Sequence, residues 1–379
     1  MKTLILSCNT GQGHNSCAAA IKEYYDRNNE YCDIEDALRF ISPSASDFIS
    51  GWHVRIYRHL PSVFKFSYNV IEKFPNVTFG DKSASYRFFA LGAKKLVEFI
   101  RDGGYDAVIC THVFAAMMLT AGAKKYFLDV KTALVHTDYT LTPGTKASNL
   151  DIYFLPVSEL AEQFRCKNIP ENKMITSGIP IRQMFYDKID INDAKEKLGI
   201  DKDARHVVLM CGSMGCGPIP KMIEELVAEI KVKWHLTVIC GTNQKLFDKV
   251  TKQFGDNKNI SILGFVKDIP LLMDSADLYI TKPGGLSVSE SNAKSLPMAF
   301  INVVAACEDD NRLLFLKHGC AIEGEDPKQL AKHCARVLGD DELLAELKRN
   351  ITEMEKLNTS EIIFETMKGL VEEDELASV

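Results

Sequence analysis

The sequence predicts an α/β protein of two doubly wound halves, each a parallel sheet with its ligand loops facing a cleft. Three observations predict it. At 379 residues the chain is too long for one ordinary core, and two domains are expected. Short apolar runs alternate with amphipathic stretches, the pattern of βαβ units. Glycine-rich junctions follow strand-like runs at 7–16, 207–217, 236–243 and 277–285.

The first run, KTLIL at 2–6, reads as a strand closed by Ser7 and Cys8. SCNTGQGHNS at 7–16 follows, and over 15–27 Cys17, Ile21, Tyr24 and Tyr25 fall along one helical face. Strand, glycine turn and helix start is the geometry that brings backbone N–H groups to an anion. G-x-G-H lacks the third glycine of a dinucleotide fingerprint, however. Strand runs at 31–34, 106–111, 132–137, 152–155 and 174–176, with amphipathic stretches such as 85–101, complete a first domain over 1–178. SGIPIRQMFYDKIDIND, from Ser177, breaks the rhythm with Gly178 and Pro180, so 179–195 is read as a linker. VVLMCGSMGCG at 207–217 and LTVICGTN at 236–243 open the second domain, 196–360, and ISILGFV, ADLYITKPGG and PMAFINV continue it. A helix over 361–379, ending in the acidic EEDELASV, is placed to cross back to the first domain.

Bulk properties exclude several classes. The chain is 46% hydrophobic and 25% charged with a net charge of −6, unlike the basic excess of a nucleic-acid binder, so no nucleic-acid partner is expected. Eleven cysteines, scattered without framework spacing, point to reduced thiols in a cytoplasm. Cys211 and Cys216 flank Gly212 and Gly215, but no second Cys/His pair stands at zinc spacing, and they read as packing residues. No run approaches the length needed to span a bilayer. MKTLILSC has an apolar core of about five residues, below that of a signal peptide.

The most informative segment is TKPGGLSVSESNAKSLPM at 281–298. The DLYI run before it is a strand, Pro283-Gly284-Gly285 makes a tight turn, and 286–294 reads as a helix. Backbone amides of Gly285, Leu286 and Ser287 then point outward at the positive helix end, ready for a diphosphate. Glu290 lies one turn further on, where a carboxylate can accept both hydroxyls of a ribose; the alternative is a surface glutamate favoured by the helix dipole.

The G-x-G-H loop, the K-P-G-G-L-[ST]-x-[ST]-E pattern and the acidic stretch ending at Asn311 together resemble one family of glycosyltransferases. It includes monogalactosyldiacylglycerol synthases, processive diacylglycerol glucosyltransferases and, more distantly, the lipid II-forming N-acetylglucosaminyltransferase. The similarity runs from residue 4 to about residue 319, and LGFVKDIPLLM at 263–273 is similar to the family's nucleobase-contacting loop. The resemblance implies a GT-B fold of two Rossmann-like domains and inverting transfer of glucose or galactose from UDP to diacylglycerol. It implies that Gly11 and Gly13 let the backbone approach the ligands and that His14 is the general base. An imidazole suits that task near neutral pH; a helix-capping histidine is the alternative. Asp138, in LVHTDYTLTPG, would orient the acceptor or serve as base itself, unless it only makes an Asx turn. The UDP-sugar would lie on Gly11, Gly13, Gly212, Ser213, Met214, Gly241, Thr242, Phe265, Val266, Lys282 and Gly284, with Gly285, Leu286, Ser287, Glu290, Glu308 and Asn311.

One departure matters. Relatives carry Pro-Gly-Gln-Glu where this chain reads VVAACEDDN at 303–311, so Ala306 and Cys307 replace Gly-Gln and the donor sugar is left open. No metal or cofactor is expected. The one Asp-x-Asp match, Asp201-Lys202-Asp203, lies in a turn before a strand, and glycine-loop amides with help from Lys282 can stabilise the leaving group. The stretch 51–74, GWHVRIYRHLPSVFKFSYNVIEKF, mixes aromatic and cationic residues, among them Trp52, Arg55, Tyr57, Arg58, Phe64, Lys65 and Phe66. Such a surface suits contact with an anionic membrane and the lipid acceptor, hence a peripheral protein at the inner face of the cell membrane. An aromatic core is the bland alternative. A UDP-sugar 2-epimerase-like enzyme and a nucleotide-sugar-binding protein without activity are the competing functions.

Overall fold

Strands covered on both faces need runs of apolar residues rather than alternation, and such runs form two parallel sheets. β1 (Lys2–Ser7), β2 (Tyr31–Asp36), β3 (Ala107–Cys110), β4 (Lys131–Val135), β5 (Ile152–Leu155) and β6 (Met174–Thr176) pair in the order β2-β1-β3-β4-β5-β6. β7 (Arg205–Met210), β8 (Trp234–Ile239), β9 (Ile260–Leu263), β10 (Leu278–Thr281), β11 (Met298–Phe300) and β12 (Ala321–Glu323) pair in the order β12-β11-β10-β7-β8-β9. The computed structural model describes residues 1–9, 11–49, 51, 78–80, 83–301 and 306–377. The aromatic and cationic stretch from Trp52 to Phe66 lies outside them. Among the described residues no helix is long and apolar enough to cross a membrane.

The chain divides into two units. One is Met1–Gln183 with Leu357–Val379; the other is Met184–Val303 with Glu308–Lys356. In the first, Ile5, Ile109, Val135 and Phe154 of the sheet share a core with Ile21 and Tyr25 of helix Gln12–Arg27. Ile363, Phe364 and Met367 of helix Thr359–Ala377 complete it. The rings of Tyr25 and Phe364 meet edge-on at 4.9 Å. Burying a side chain such as Phe364 contributes about 1.5–3 kcal/mol, so the C-terminal helix is an integral wall of this unit. In the second unit, Val207, Leu209, Val238, Leu278 and Ile280 pack with Met222 and Leu226 of helix Ile219–Glu229 and Leu330 and Leu338 of helix Pro327–Gly339.

Two boundaries differ from the sequence reading. The break between units falls at Gln183, inside 179–195, and that stretch is no bare tether. Ile179, Ile181 and Phe185 are buried, and Ile191–Lys197 is a helix. Its buried Lys195 donates to Asp277 at 3.1 Å and to the Ala204 carbonyl at 2.8 Å. Gly178 and Pro180 interrupt the pattern, but the apolar residues after them are core. The C-terminal helix begins at Thr359 rather than 361, and the chain joins the first unit from Leu357 onward.

Each sheet contains one point where the winding reverses. In the first, the chain passes from β1 to β2 on one side and then to β3 on the other. In the second it runs from β7 through β8 to β9, then returns to place β10 on β7's other side. Loops leaving the carboxyl ends of two such strands part and leave a crevice, where ligands of open α/β sheets bind.

Candidate active site

In the first unit the crevice lies between β1 and β3, and His14 reaches across it. Its Nδ1 is 2.8 Å from the backbone carbonyl of Thr111, just past β3. A carbonyl only accepts, so Nδ1 carries the hydrogen and, in the neutral ring, the lone pair sits on Nε2. The Thr137 hydroxyl, just past β4, lies 3.1 Å from the same Nδ1. The His112 ring stands edge-on at 4.4 Å, and His112 Nδ1 accepts the Phe114 amide at the start of helix Val113–Tyr126. His14 is therefore a half-buried imidazole with a fixed tautomer. Asp138, half-buried, follows directly on Thr137.

The loop that presents His14 is braced by side chains that sequence reasoning missed. Ser7 Oγ donates to Asn15 Oδ1 at 2.6 Å, Asn15 donates to Asn9 at 2.7 Å, and Asn9 donates to Asp36 at 2.9 Å. Asp36 also accepts the Ser46 hydroxyl and the Leu38 amide. The signal was present as polar residues ending two adjacent strands, Ser7 and Asp36. The two glycines of this loop stand in open space. Gly11 is extended at φ −177°, helix Gln12–Arg27 already includes Gly13, and a methyl on either would meet nothing within 4 Å. Neither glycine is required by backbone conformation; together they leave open space beside His14.

In the second unit the crevice between β7 and β10 is lined by two interlocked loops. Gly212 (φ +69°), Gly215 (φ +54°) and Gly241 (φ +59°) adopt the left-handed region that favours glycine. A methyl on Gly241 would collide with the Ser213 carbonyl, and one on Gly215 would sit 2.6 Å from the Cys240 carbonyl oxygen. The Thr242 amide donates to the Ser213 carbonyl at 2.9 Å, and Asn243 Nδ2 donates to the Gly215 carbonyl at 3.2 Å. Backbone is thus packed on backbone, with Met214 in the turn between. Burial pushes the Cys211 thiol up to about 12, which keeps it a neutral packing group.

Across the crevice, Lys282 lays its stem against Gly212, where an added methyl would meet Cε at 3.2 Å. Its ammonium pairs with the buried Glu308 carboxylate. Asn311, also on helix Ala306–Lys317, donates to the Pro283 carbonyl at 2.9 Å and fixes the turn. Gly284 caps helix Gly285–Lys294, whose first intrahelical bond runs from Val288 N to Gly284 O. The Gly285, Leu286 and Ser287 amides therefore have no intrahelical acceptor. They make a positive helix end, the kind of end that suits an anion, and the Lys282 ammonium paired with Glu308 lies beside it. Glu290 is half-buried one turn on, and its carboxylate adds to the burial that pushes the Tyr279 phenol up. Phe265, 66% exposed, and half-buried Val266 lie past the carboxyl end of β9. The Asp201-x-Asp203 pair is elsewhere: it precedes the amino end of β7, and Asp201 pairs with Lys233 at 2.5 Å.

Two parallel six-stranded units, each with its loops gathered at a switch point, define a GT-B protein. Residues 14–181 match the family described as Monogalactosyldiacylglycerol (MGDG) synthase, and residues 195–354 match Glycosyl transferases group 1. The chain thus matches two glycosyltransferase families in succession, MGDG synthase and then group 1. It is 24% identical over 372 residues to the processive diacylglycerol beta-glucosyltransferase of Staphylococcus saprophyticus, covering 97% of this chain and 90% of that protein. Among solved structures, MurG of Acinetobacter baumannii superposes with a TM-score of 0.67 at 14% identity, over 97% of this chain and 99% of that one. The UDP-GlcNAc 2-epimerase of Neisseria meningitidis, bound to UDP-GlcNAc, gives 0.60 at 12% identity, over 97% and 100%. At those identities the likeness is one of fold.

Proposed function

We propose that this chain transfers a hexose from a UDP-sugar to diacylglycerol with inversion at the anomeric carbon. The observation that carries the reading is His14, tied through Nδ1 to the Thr111 carbonyl so that Nε2 holds the lone pair. The likeness to a diacylglycerol glucosyltransferase over nearly the whole chain supports it. Nε2 takes the acceptor hydroxyl proton as that oxygen bonds to the anomeric carbon. The bond from that carbon to the diphosphate breaks, and its electron pair leaves with UDP. The amides of Gly285, Leu286 and Ser287 and the Lys282 ammonium hold the diphosphate as its charge grows. Glu290 takes the ribose, and Phe265 and Val266 the base. Asp138 orients the acceptor hydroxyl.

The reaction needs no metal on this reading, and turnover is expected to survive a chelator. The protein works at a membrane surface, where its acceptor resides. The epimerase likeness is confined to fold and does not bring a lipid acceptor with it. Release of free UDP separates the two readings. A transferase releases UDP from UDP-glucose or UDP-galactose in proportion to added diacylglycerol. Release that ignores the lipid would contradict the proposal.

A further inference from the structure

A cavity of about 1490 Å³ lies in the first unit, beside helix Val113–Tyr126 and the loop that follows β4. We propose that it holds an acyl chain of the lipid acceptor, an inference that rests on the transferase reading above. Sites for compact ligands measure about 300–1,000 Å³, so this cavity suits a longer occupant. Most of its exposed wall is carbon, supplied by Phe79, Ala123, Leu141, Pro143 and Ala147 among others. Two hydroxyls on the wall are engaged within the protein. Thr120 Oγ1 accepts the Asn149 amide at 3.0 Å, and Ser148 Oγ donates to the Thr145 carbonyl at 2.6 Å.

Position and charge point the same way. The loop whose Thr137 touches His14 continues through Asp138 to Leu141, Pro143 and Gly144 on the cavity wall. The loop is held in place, since the Leu141 amide donates to Gln163 Oε1 at 3.3 Å and Thr145 Oγ1 donates to the Thr142 carbonyl at 2.7 Å. One short segment thus links the base to the cavity. Lys124, Lys146 and Lys167 stand exposed on the lining and make no ion pair among the described residues. The Glu162 carboxylate on the same lining is paired with Arg165. Exposed lysines without a carboxylate partner suit the mouth of a site filled from an anionic lipid layer.

The test narrows the cavity and compares two acceptors. Ala147→Trp and Ala123→Phe are assayed separately with dioleoylglycerol in detergent micelles and with dihexanoylglycerol. For each variant kcat/KM on the long-chain acceptor is expected to fall at least tenfold, while that on the short-chain acceptor stays within about twofold. Calorimetry with UDP should give unchanged affinity. A parallel loss on both acceptors in both variants, or no change on either, would overturn the assignment. If the unaltered protein glycosylated neither acceptor, the transferase reading would fall first, before any variant was made.

Discussion

His14 shows how much of a site one residue's neighbours decide. The sequence pointed to it through the G-x-G-H loop, yet its partners, Thr111, His112 and Thr137, are about a hundred residues away. They meet His14 only because β3 and β4 lie beside β1 in the sheet, and no spacing rule in one sequence reveals that. The tether makes a definite prediction. His14→Ala should lower turnover by about two to four orders of magnitude, the usual contribution of a positioned general base. UDP affinity, measured by calorimetry, should change little, because the proposed nucleotide contacts belong to other residues. Turnover near that of the unaltered protein would remove His14 from the mechanism and leave Asp138 as the base.

At the scale of elements, glycine-rich junctions were legible but the need for each glycine was not. Gly241 combines a positive φ with a carbonyl packed against its α-carbon, whereas Gly11 is extended and open. Both look alike as letters after a strand. Gly241→Ala should therefore destabilise the loop, since a left-handed alanine alone costs about 1–2 kcal/mol before the collision with Ser213 is counted. Its UDP affinity should drop at least tenfold. Gly11→Ala should unfold at the same denaturant midpoint as the unaltered protein. Equal behaviour of the two variants in urea unfolding and UDP titration would show that the interlocked loops do not shape the donor site. The same limit explains the linker. Gly178 and Pro180 were read as punctuation, while burial of Ile181 and Phe185 depends on partners far away in the chain.

For the whole molecule, alternating strands and helices were enough to predict two doubly wound units and the fold they share with MurG. The sequence did not reveal how firmly polar groups are built into the cores. His206 is buried between Ser275 and Thr237, each 2.9 Å from a ring nitrogen, and burial lowers its pKa to about 3. His136 is buried too, and burial lowers its pKa to about 4. Both rings stay neutral in the folded chain at a pH where an unfolded histidine, with a pKa of about 6.5, takes up a proton. The unfolded state then binds more protons, so stability is full above about pH 6.5 and falls as the pH drops toward 4 for His136 and 3 for His206. The slope is about 1.4 kcal/mol per pH unit for each histidine. Urea unfolding at a series of pH values should show this loss, and His206→Gln should make it shallower. A stability that stays flat between pH 6.5 and 4 would mean that these rings are not held neutral. The transfer itself is read most directly from its glycolipid product. The protein is incubated with UDP-glucose or UDP-galactose and diacylglycerol, the lipid is identified by mass spectrometry, and its anomeric linkage is read by NMR. A hexosyl diacylglycerol with a β linkage is expected; an α linkage, or UDP-sugar consumed with no sugar on the lipid, would overturn the proposed transfer.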